Sequence, residues 1–421
     1  MKDENLSILL FGSGGREHAV AWKLSQSTRV DKIYVLPGNG GTETLRKTEN
    51  VSHVDIKDHA ALINFIENSK VDFVVPCAEG PLVDGITVVL VAAGIKCFGP
   101  SKKVAELEGS KAFFHAFTKK YQIQTAQAHV FNKCQEALDF LDTIDYRVVV
   151  KASGLTSSKG VIVCTDKASA KNAVKKTMLD EVWNSSGEII IIEEYLTGEE
   201  FTVTAVSDGE HFRVLSSVRD YKTLYRDDQG PNTGGIGSHA PYQVTVEALA
   251  EIEETILKKT IAGMGEDVGF LNVGIILSFT GPKVIDYDVR LGDPETQAIL
   301  PLLKTDLAEI LLAGVQNSLG NVEIVISQEF CVSVVLCGEG YPGKGSVGKL
   351  ITIADGIAES TIFHGGTVRQ NGKFYTTKGR VMQVTAIGPT LKDAANDSYS
   401  SIKHIKFDGM RFRDDIGAVV K

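Results

Sequence analysis

The amino-acid sequence predicts a chain of mixed α/β and α+β class that is divided into several packed units. Its 421 residues exceed the length of one ordinary domain. Hydrophobic residues make up 43% and charged residues 23%, a balance typical of a globular protein with a sizeable core. The first hundred residues alternate short apolar runs with helical patterns, and this order favours a parallel sheet with crossover helices.

Charge and local composition limit the partners that the chain can bind. The net charge of −9 argues against a nucleic-acid partner, which needs a basic face, but permits small phosphorylated substrates. Residues 1–7 lack a signal pattern, and the longest apolar stretch, 86–93, is too short to cross a membrane. The six cysteines form no CxxC pair, as expected for reduced thiols. We therefore expect a cytoplasmic protein with neither a nucleic-acid nor a membrane partner.

Composition shifts and turn clusters divide the chain into five segments. They are an N-terminal parallel α/β substrate domain (1–102), a helical linker (103–123), a smaller α/β unit (124–194), a larger mixed unit (195–328) and a C-terminal α+β domain (329–421). In the first segment, the predicted strands Ile8–Phe11 and Lys32–Leu36 each end in a glycine-rich loop. Parallel sheets bind ligands beyond the carboxyl ends of their strands, so both loops are candidate ligand contacts.

The first of these loops, Gly12-Ser13-Gly14-Gly15-Arg16, leads into a helix. Its glycines let the backbone approach an anion, the helix N-terminus offers free N–H groups, and Arg16 can add a bidentate phosphate contact. A nicotinamide-cofactor fold competes with this interpretation. However, Glu17 stands where the third glycine of GxGxxG is expected, and the acidic ribose ligand about 20 residues further on is missing. A tight turn used only for packing is the simpler alternative.

Two further segments are suited to nucleotide binding. In Lys151–Val161 a lysine ends one strand, a small-residue loop follows, and Lys159 begins the next strand, so the hairpin could fold over a polyphosphate. Residues Glu193–Leu196 follow an apolar strand and could present backbone groups to an adenine edge, with a nearby glutamate for the ribose hydroxyls. A plain hairpin with exposed lysines and an acidic surface turn are the respective alternatives.

The segment from Lys283 to Glu295 carries a candidate metal site. Period-2 geometry places Asp286, Asp288 and Arg290 on one face of a strand. Two carboxylates about 7 Å apart would repel each other by roughly 2 kcal/mol at an effective dielectric constant of about 20. A divalent cation reverses that repulsion, and Mg²⁺ prefers one or two carboxylates together with substrate phosphates. A solvated edge strand is the alternative.

Taken in order, the motifs resemble the phosphoribosylamine–glycine ligase (glycinamide ribonucleotide synthetase) family of the ATP-grasp superfamily. The resemblance covers almost the whole chain, and its most specific parts are Gly230-Pro231-Asn232-Thr233-Gly234-Gly235 and Gly292-Asp293-Pro294-Glu295-Thr296-Gln297. It implies an N-terminal parallel-sheet (pre-ATP-grasp) domain, an ATP-grasp lid and body, and a small C-terminal α+β domain. Residues 299–307 are similar to animal and fungal members, in which this unit heads a multifunctional purine-synthesis chain.

The resemblance also implies an activity: ATP-dependent ligation of glycine to 5-phosphoribosylamine through glycyl phosphate, in purine biosynthesis. The implied cofactor is ATP with Mg²⁺ or Mn²⁺, and the implied metal ligands are Asp286 and Asp288. The implied catalytic residues are Arg290, which would bind the glycine carboxylate, with Asp293, Asp220 and Lys222. The implied ATP contacts are Lys111, Lys151, Lys159, Glu193, Glu194, Tyr195, Leu196 and Glu200, and the implied substrate contacts are Gly14, Arg16, Asn39, Glu79, Asn232 and Thr233.

Several site positions depart from the family pattern. Asp286-Tyr287-Asp288 replaces Glu-Phe-Asn, and Thr156-Ser157-Ser158-Lys159-Gly160 replaces Ala-Ala-Gly-Lys-Gly. Thr223 stands where an arginine is usual, and we expect Arg226 to substitute for it. These changes leave two alternatives open: an ATP-binding unit with weakened or lost ligase activity that serves a structural or regulatory role, and a related ligase for another amine or acid.

Overall fold

The computed structural model describes residues 5–156, 160–180, 183–343, 345–357 and 360–418. Its N-terminal unit is the predicted parallel sheet, in the order β3-β2-β1-β4. The elements are β1 (Leu6–Gly12), α1 (Gly15–Ser25), β2 (Val30–Pro37), β3 (Thr48–Asn50), α2 (His59–Asn68), β4 (Phe73–Pro76), α3 (Glu79–Asp84) and α4 (Ile86–Ala92). The loops after β1 and β2 lie at the carboxyl edge of this sheet, as predicted.

The linker differs from the prediction, because two helices replace the single helical segment. They are α5 (Lys102–Gly109) and α6 (Lys111–Lys120). Ser110 between them is extended, with φ −144° and ψ 111°, and its side chain accepts a hydrogen bond from the N–H of Phe113. A serine that caps a helix in this way starts a new helix instead of continuing the old one.

The unit between residues 124 and 194, called the lid below, is an antiparallel sheet in the order β5-β8-β6-β7, covered by two helices. Its elements are β5 (Ala128–Phe131), α7 (Cys134–Thr143), β6 (Val148–Ala152), β7 (Val161–Val163), α8 (Lys167–Met178) and β8 (Ile190–Glu194). Ala137, Leu141, Val150, Val174 and Ile192 belong to its core.

The larger unit, called the body below, contributes five strands of an eight-stranded sheet. Its elements are β9 (Glu199–Ser207), β10 (Phe212–Asp220), β11 (Thr223–Tyr225), β12 (Gln229–Asn232), β13 (Gly237–Ala240), α9 (Val246–Ile252), α10 (Lys258–Met264), β14 (Gly269–Ser278), β15 (Gly281–Asp288), α11 (Glu295–Ile299) and α12 (Leu307–Val315). Strand β15, which carries the aspartates, is at one edge of that sheet.

The C-terminal unit completes the same sheet, whose full order is β15-β14-β9-β10-β13-β16-β21-β18. Its elements are β16 (Phe330–Cys337), β17 (Leu350–Ile353), β18 (Ser360–His364), β19 (Thr367–Gln370), β20 (Lys373–Thr376), β21 (Arg380–Gly388), α13 (Leu391–Ile402) and β22 (Ile405–Lys406). Pairing of β13 with β16 therefore joins body and C-terminal unit across the boundary proposed at residue 328.

Within the described residues, no helix is long and apolar enough to cross a membrane. All six cysteines are free, and five of them are buried. Burial raises the pKa of the Cys97 thiol to about 12, which makes this side chain inert at neutral pH.

The N-terminal and C-terminal units meet at two buried histidines. His18, on α1, accepts a hydrogen bond at Nδ1 from the backbone N–H of His364, over 2.7 Å. The His18 ring also packs edge-on against Phe363. Burial lowers the pKa of His18 well below its usual range and that of His364 to about 4. Both rings are therefore neutral at pH 7.

This junction should make the protein sensitive to acid. The unfolded chain binds a proton at His364 with a pKa near 6.5, and the folded chain only near 4. Stability from this residue is complete above about pH 6.5 and is lost as the pH falls toward 4, by about 3 kcal/mol. Urea unfolding at pH 7, 6 and 5 measures it. In His364→Gln the free energy of unfolding should fall less over this range, and a slope equal to the wild type's would contradict the assignment.

Candidate functional site

A cleft of about 470 Å³ opens where the N-terminal unit, the body and the C-terminal unit meet. Nine residues predicted for the site line it: Gly14, Arg16, Glu79, Asp220, Lys222, Asp286, Asp288, Arg290 and Asp293. The C-terminal wall adds Tyr341, Lys378, Arg380 and Gln383, which the sequence did not indicate. The structure thus gathers one cleft from residues separated by up to 371 positions in the chain, Gly12 and Gln383.

Carboxylates of the protein occupy the helix N-terminus that follows the first glycine loop. Glu17 Oε2 accepts a hydrogen bond from the N–H of Gly14, and Asp293 Oδ2 accepts one from the N–H of Arg16 over 3.4 Å. The Arg16 guanidinium is paired with Glu17 Oε1 at 2.7 Å. An external phosphate here would face two carboxylates. Two N–H groups of this loop are therefore already bonded to carboxylates, Gly14 and Arg16 line the cleft, and the anion site at this N-terminus stays a prediction.

Both polar groups of the Asn39 side chain make hydrogen bonds, and these fix the glycine-rich loop after β2. Its Nδ2 donates to the backbone oxygen of His364 over 2.8 Å and also to those of Ser13 and Gly14. Its Oδ1 accepts from the N–H groups of Gly41 and Thr42. This buried amide ties the two glycine loops together, and its contact with substrate remains a prediction.

Arg290 lies at the centre of the cleft, between carboxylates from three different elements. Its Nη2 is 2.6 Å from Glu108 Oε1, on α5, and 3.1 Å from Asp288 Oδ1, on β15. Its Nε is 3.8 Å from Glu79 Oε2, at the start of α3. That distance is too long for a hydrogen bond, so the buried Nε–H has no partner within the described residues. A ligand oxygen is the expected partner.

The single guanidinium of Arg290 cannot neutralise three carboxylates, and the pKa values of Glu108 and Glu79 shift in opposite directions. Burial raises the pKa of Glu108 to about 8, against the charge of Arg290. Burial also acts on Glu79, but Arg290 and Arg16 together lower the pKa of that carboxyl to about 2. Glu108 is therefore the member of the group that holds a proton most readily. Such displaced pKa values are common at functional sites.

The predicted metal strand faces the cleft. Asp286 pairs in register with Gly274 and Asp288 with Asn272, on β14. Burial raises the pKa of Asp286, but the charges of Lys222, Lys111 and Lys151 outweigh it, so the net shift is downward. Both aspartates thus lie beside cations instead of projecting into open solvent, which argues against the solvated edge strand.

A second acidic pair lies opposite, at the junction of β10 and α11. Asp220 Oδ1 is buried and has no hydrogen-bond partner among the described residues. Burial and the charge of Glu295 raise the pKa of Asp220 well above its usual range. The Nζ of Lys222 is 2.6 Å from Glu200 Oε1, on strand β9 of the body. The four predicted catalytic residues therefore line one cleft, although the structure assigns Asp293 a bonded partner in Arg380, at 3.3 Å.

The predicted ATP contacts lie next to this cleft, between lid and body. Lys151 Nζ donates to the backbone oxygen of Ile285 over 3.1 Å, directly before Asp286. The N–H groups of Glu194 and Tyr195 are used in the lid, by Gln127 and Arg147. The N–H of Leu196 has no backbone partner in the described chain, so it is free to bind a base edge. Lys159 lies outside the described residues.

The glycine-rich loop before β13 is held by its own turn. Thr233 donates its N–H and its hydroxyl to the backbone oxygen of Lys222, and its hydroxyl accepts the N–H of Gly235. Gly235 has φ +98°, and a Cβ there would lie 2.3 Å from Pro294. Arg380 donates to the backbone oxygens of Gly234 and Asp293, so it fastens this loop to the GDPETQ segment. Asn232, at the end of β12, pairs with Thr223.

The expected substitute for the missing arginine does not reach the cleft. Arg226 is 61% exposed and pairs with Asp414 at 3.3 Å, on the far side of the β11–β12 hairpin. Thr223 itself accepts a hydrogen bond from Arg413. The cleft instead gains two further cations, Lys378 and Arg380, from the C-terminal unit. Sequence spacing could not indicate them because they lie about 155 positions away.

Comparison with known proteins finds matches to three successive segments of the chain. Residues 6–108, 109–296 and 331–419 match the models of the N domain, the ATP-grasp (A) domain and the C domain of phosphoribosylglycinamide synthetase. A phosphoribosylamine–glycine ligase of Caldanaerobacter subterraneus is 41% identical over 98% of this chain and 100% of its own length. A bifunctional purine biosynthetic protein of Schizosaccharomyces pombe is 43% identical over 98% of this chain, which spans about half, 53%, of that relative.

Solved structures agree with these matches. The crystal structure of a phosphoribosylamine–glycine ligase from Thermotoga maritima has a TM-score of 0.86 and 33% identity, over 97% of this chain and 100% of that one. A biotin carboxylase domain from Hydrogenobacter thermophilus shares the fold alone, with a TM-score of 0.74, 13% identity, and coverage of 96% and 91%.

The packing around α1 predicts the effect of a methyl group at Gly15. A Cβ there would lie 2.2 Å from Gln383 Oε1 and 2.6 Å from Gln297 Nε2, both buried. Gly15→Ala should therefore destabilise the protein by about 1–3 kcal/mol. Gly80→Ala is the matched control, because a Cβ at Gly80, across the cleft, meets nothing within 4 Å. Urea unfolding measures both variants, and equal stabilities would show that the glutamines can move aside.

Proposed function

The chain belongs to the phosphoribosylglycinamide synthetase family, and we propose that it joins glycine to 5-phosphoribosylamine at the expense of ATP. The products are glycinamide ribonucleotide, ADP and phosphate. The observation that carries this proposal is Arg290, whose unpaired Nε–H faces the cleft beside the carboxylates of β15. Such a site can hold a small carboxylate next to a polyphosphate.

The reaction has two steps. A carboxylate oxygen of glycine attacks the γ-phosphorus of ATP, ADP leaves, and glycyl phosphate forms. The amine of phosphoribosylamine then attacks the acyl carbon, phosphate leaves, and the amine gives up a proton to form the amide. The protein contributes positioning and charge stabilisation and forms no covalent intermediate.

Arg290 binds the glycine carboxylate and afterwards the acyl phosphate. Its Nη2 is already held by Glu108 and Asp288, so the guanidinium is fixed before substrate arrives. Because the Arg290 side chain is only 13% exposed, this fixed cation stabilises developing charge more than it would in water. Arg16 and Glu79, on the N-terminal side of the cleft, are placed to contact phosphoribosylamine.

ATP lies between lid and body. The N–H of Leu196 binds adenine, Glu200 binds the ribose, and Lys111 and Lys151 approach the phosphates. Both lysines act through their charge on Asp286, which supports a common location at the phosphate end. Glu200 would exchange its partner Lys222 for the ribose hydroxyls.

Asp286 and Asp288 fit the role of metal ligands. The residues described contain no group of three acidic, histidine or cysteine side chains that could hold a metal ion unaided. Mg²⁺ or Mn²⁺ would therefore bind through the two aspartates together with ATP phosphates, as Mg²⁺ commonly does. Its chemical contribution is charge on the phosphoryl oxygens. Asp288 would contribute one oxygen, because Arg290 contacts the other.

One assay distinguishes the proposed ligase from the two alternative functions. Release of ADP that depends on both glycine and phosphoribosylamine supports the ligase. Tight ATP binding without turnover would favour an ATP-binding unit of structural or regulatory role. Turnover with β-alanine or carbamate in place of glycine would identify a ligase for another acid. We propose that the activity resides in this unit in the cytoplasm, whether the unit stands alone or heads a longer chain.

Arg290 offers a separate test of the mechanism. Arg290→Ala should lower kcat/KM for glycine by at least about 10²-fold while ATP affinity stays nearly unchanged. Arg290→Lys keeps the charge but loses the planar fork, so its activity should be intermediate. Steady-state kinetics and calorimetric ATP binding provide the measurements, with the thermal midpoint as a check of folding. Equal loss of ATP binding in both variants would refute this role.

A further inference from the structure

His115, Glu193 and Lys151 form a buried chain of contacts between α6 and the lid. Lys151 Nζ is 2.8 Å from Glu193 Oε2, and His115 Nε2 is 2.8 Å from Glu193 Oε1. The side chains of His115, Glu193 and Lys151 are 10%, 5% and 8% exposed, respectively. We propose that His115 and Glu193 are positioning residues that hold the ammonium of Lys151 toward the ATP phosphates. This inference rests on the proposed function, which makes Lys151 an ATP contact.

Helix α6 contacts the lid near both lysines that are proposed to bind the ATP phosphates, Lys111 and Lys151. Lys111 and His115 are four residues apart, so they lie on the same face of the helix. At the start of that face, the N–H of Lys111 donates to the backbone oxygen of Ser153, just beyond β6, over 2.8 Å. One turn later His115 reaches Glu193 on β8. A single helix face thus fixes both lysines relative to the lid sheet.

The contacts of Lys151 leave room for one ligand. Its ammonium has three N–H donors on a flexible stem. Within the described chain, two oxygens contact it, from Glu193 and from the backbone of Ile285. The third N–H remains for a phosphate oxygen. Because the stem is held before the nucleotide arrives, little side-chain freedom is lost on binding.

Both oxygens of Glu193 have a partner, Lys151 at Oε2 and His115 at Oε1. Burial raises the pKa of Glu193, but the charge of Lys151 and the hydrogen bond from His115 outweigh it, so the net shift is downward. The carboxylate is therefore ionised. Its Oε1 accepts a hydrogen bond from the Nε2–H of His115, and its Oε2 contacts Lys151. Without His115, the carboxylate could turn, and an unmasked negative charge would face the triphosphate.

Substitution of His115 tests this arrangement. His115→Leu should weaken binding of a nonhydrolysable ATP analogue with Mg²⁺ by roughly tenfold and raise KM for ATP to match, because one charge-assisted hydrogen bond is lost. KM for glycine should not change. His115→Gln, whose Nε2 can donate to Glu193, should recover most of the affinity. His129→Leu is the matched control, because His129 is an exposed histidine of the lid, on β5, and should bind the analogue as the wild type does.

Two results would overturn the proposal. One is His115→Leu binding the analogue as tightly as the wild type while its Tm falls, since the chain would then only fasten the lid. The other is a parallel rise of KM for ATP and for glycine. If His115→Leu does not fold, Glu193→Gln and its combination with His115→Asn, whose shorter amide should not reach Glu193, replace it. The double variant should be no weaker than Glu193→Gln alone, and multiplied losses would contradict a connected chain.

Failure of the proposed function gives a different result. Analogue binding is measured without turnover, so it tests the chain of contacts even if no ligase activity is found. Absence of glycine-dependent ADP release in the wild type would contradict the ligase alone. A wild type that is active and a His115→Leu variant with unchanged analogue affinity would contradict the positioning role alone.

Discussion

The site depends on the charge balance around Arg290. Carboxylates from α5, α3 and β15 approach this one guanidinium, and each belongs to a segment that is distant from the others in sequence. Removal of the arginine would leave three acidic groups facing one another in a dry cleft, which is costly. The same arrangement keeps Nε–H available for a substrate carboxylate. Structural cohesion and substrate binding therefore share one residue.

The charged groups of the cleft come from all three units that line it. The body contributes Asp220, Asp286, Asp288 and Glu295, whereas Lys378 and Arg380 come from the C-terminal unit. The N-terminus of α1, often an anion site, is satisfied by Glu17 and Asp293. Under the proposed function, the phosphate groups of ATP lie toward the lysines beneath the lid. The buried chain from His115 to Lys151 belongs to the same pattern, because it prepares a cation at that end.

Sequence patterns predicted the helices and strands well where the spacing of apolar residues agreed with the glycines and prolines that end each element. The parallel sheet, the lid strands and β15 lie where they were expected, since buried strands and glycine loops have strong local signals. The linker was predicted as a helical segment, and the extended backbone of Ser110 divides it into two helices. Arg226 was expected near the substrate on grounds of spacing, yet a short hairpin carries it to Asp414. Roles within the ATP site remain predictions.

Motif order by itself determined the family, the reaction class and the residues of β15 that line the cleft, because these are properties of short segments. Tertiary structure decided which charges meet. Glu108, Asn272, His115 and Arg380 carry no local signal, since their partners lie far along the chain or on another unit. It also decided that Gly14 and Gly15 open a helix already occupied by carboxylates. Electrostatic energy depends on distance in space, and a sequence states only distance along the chain.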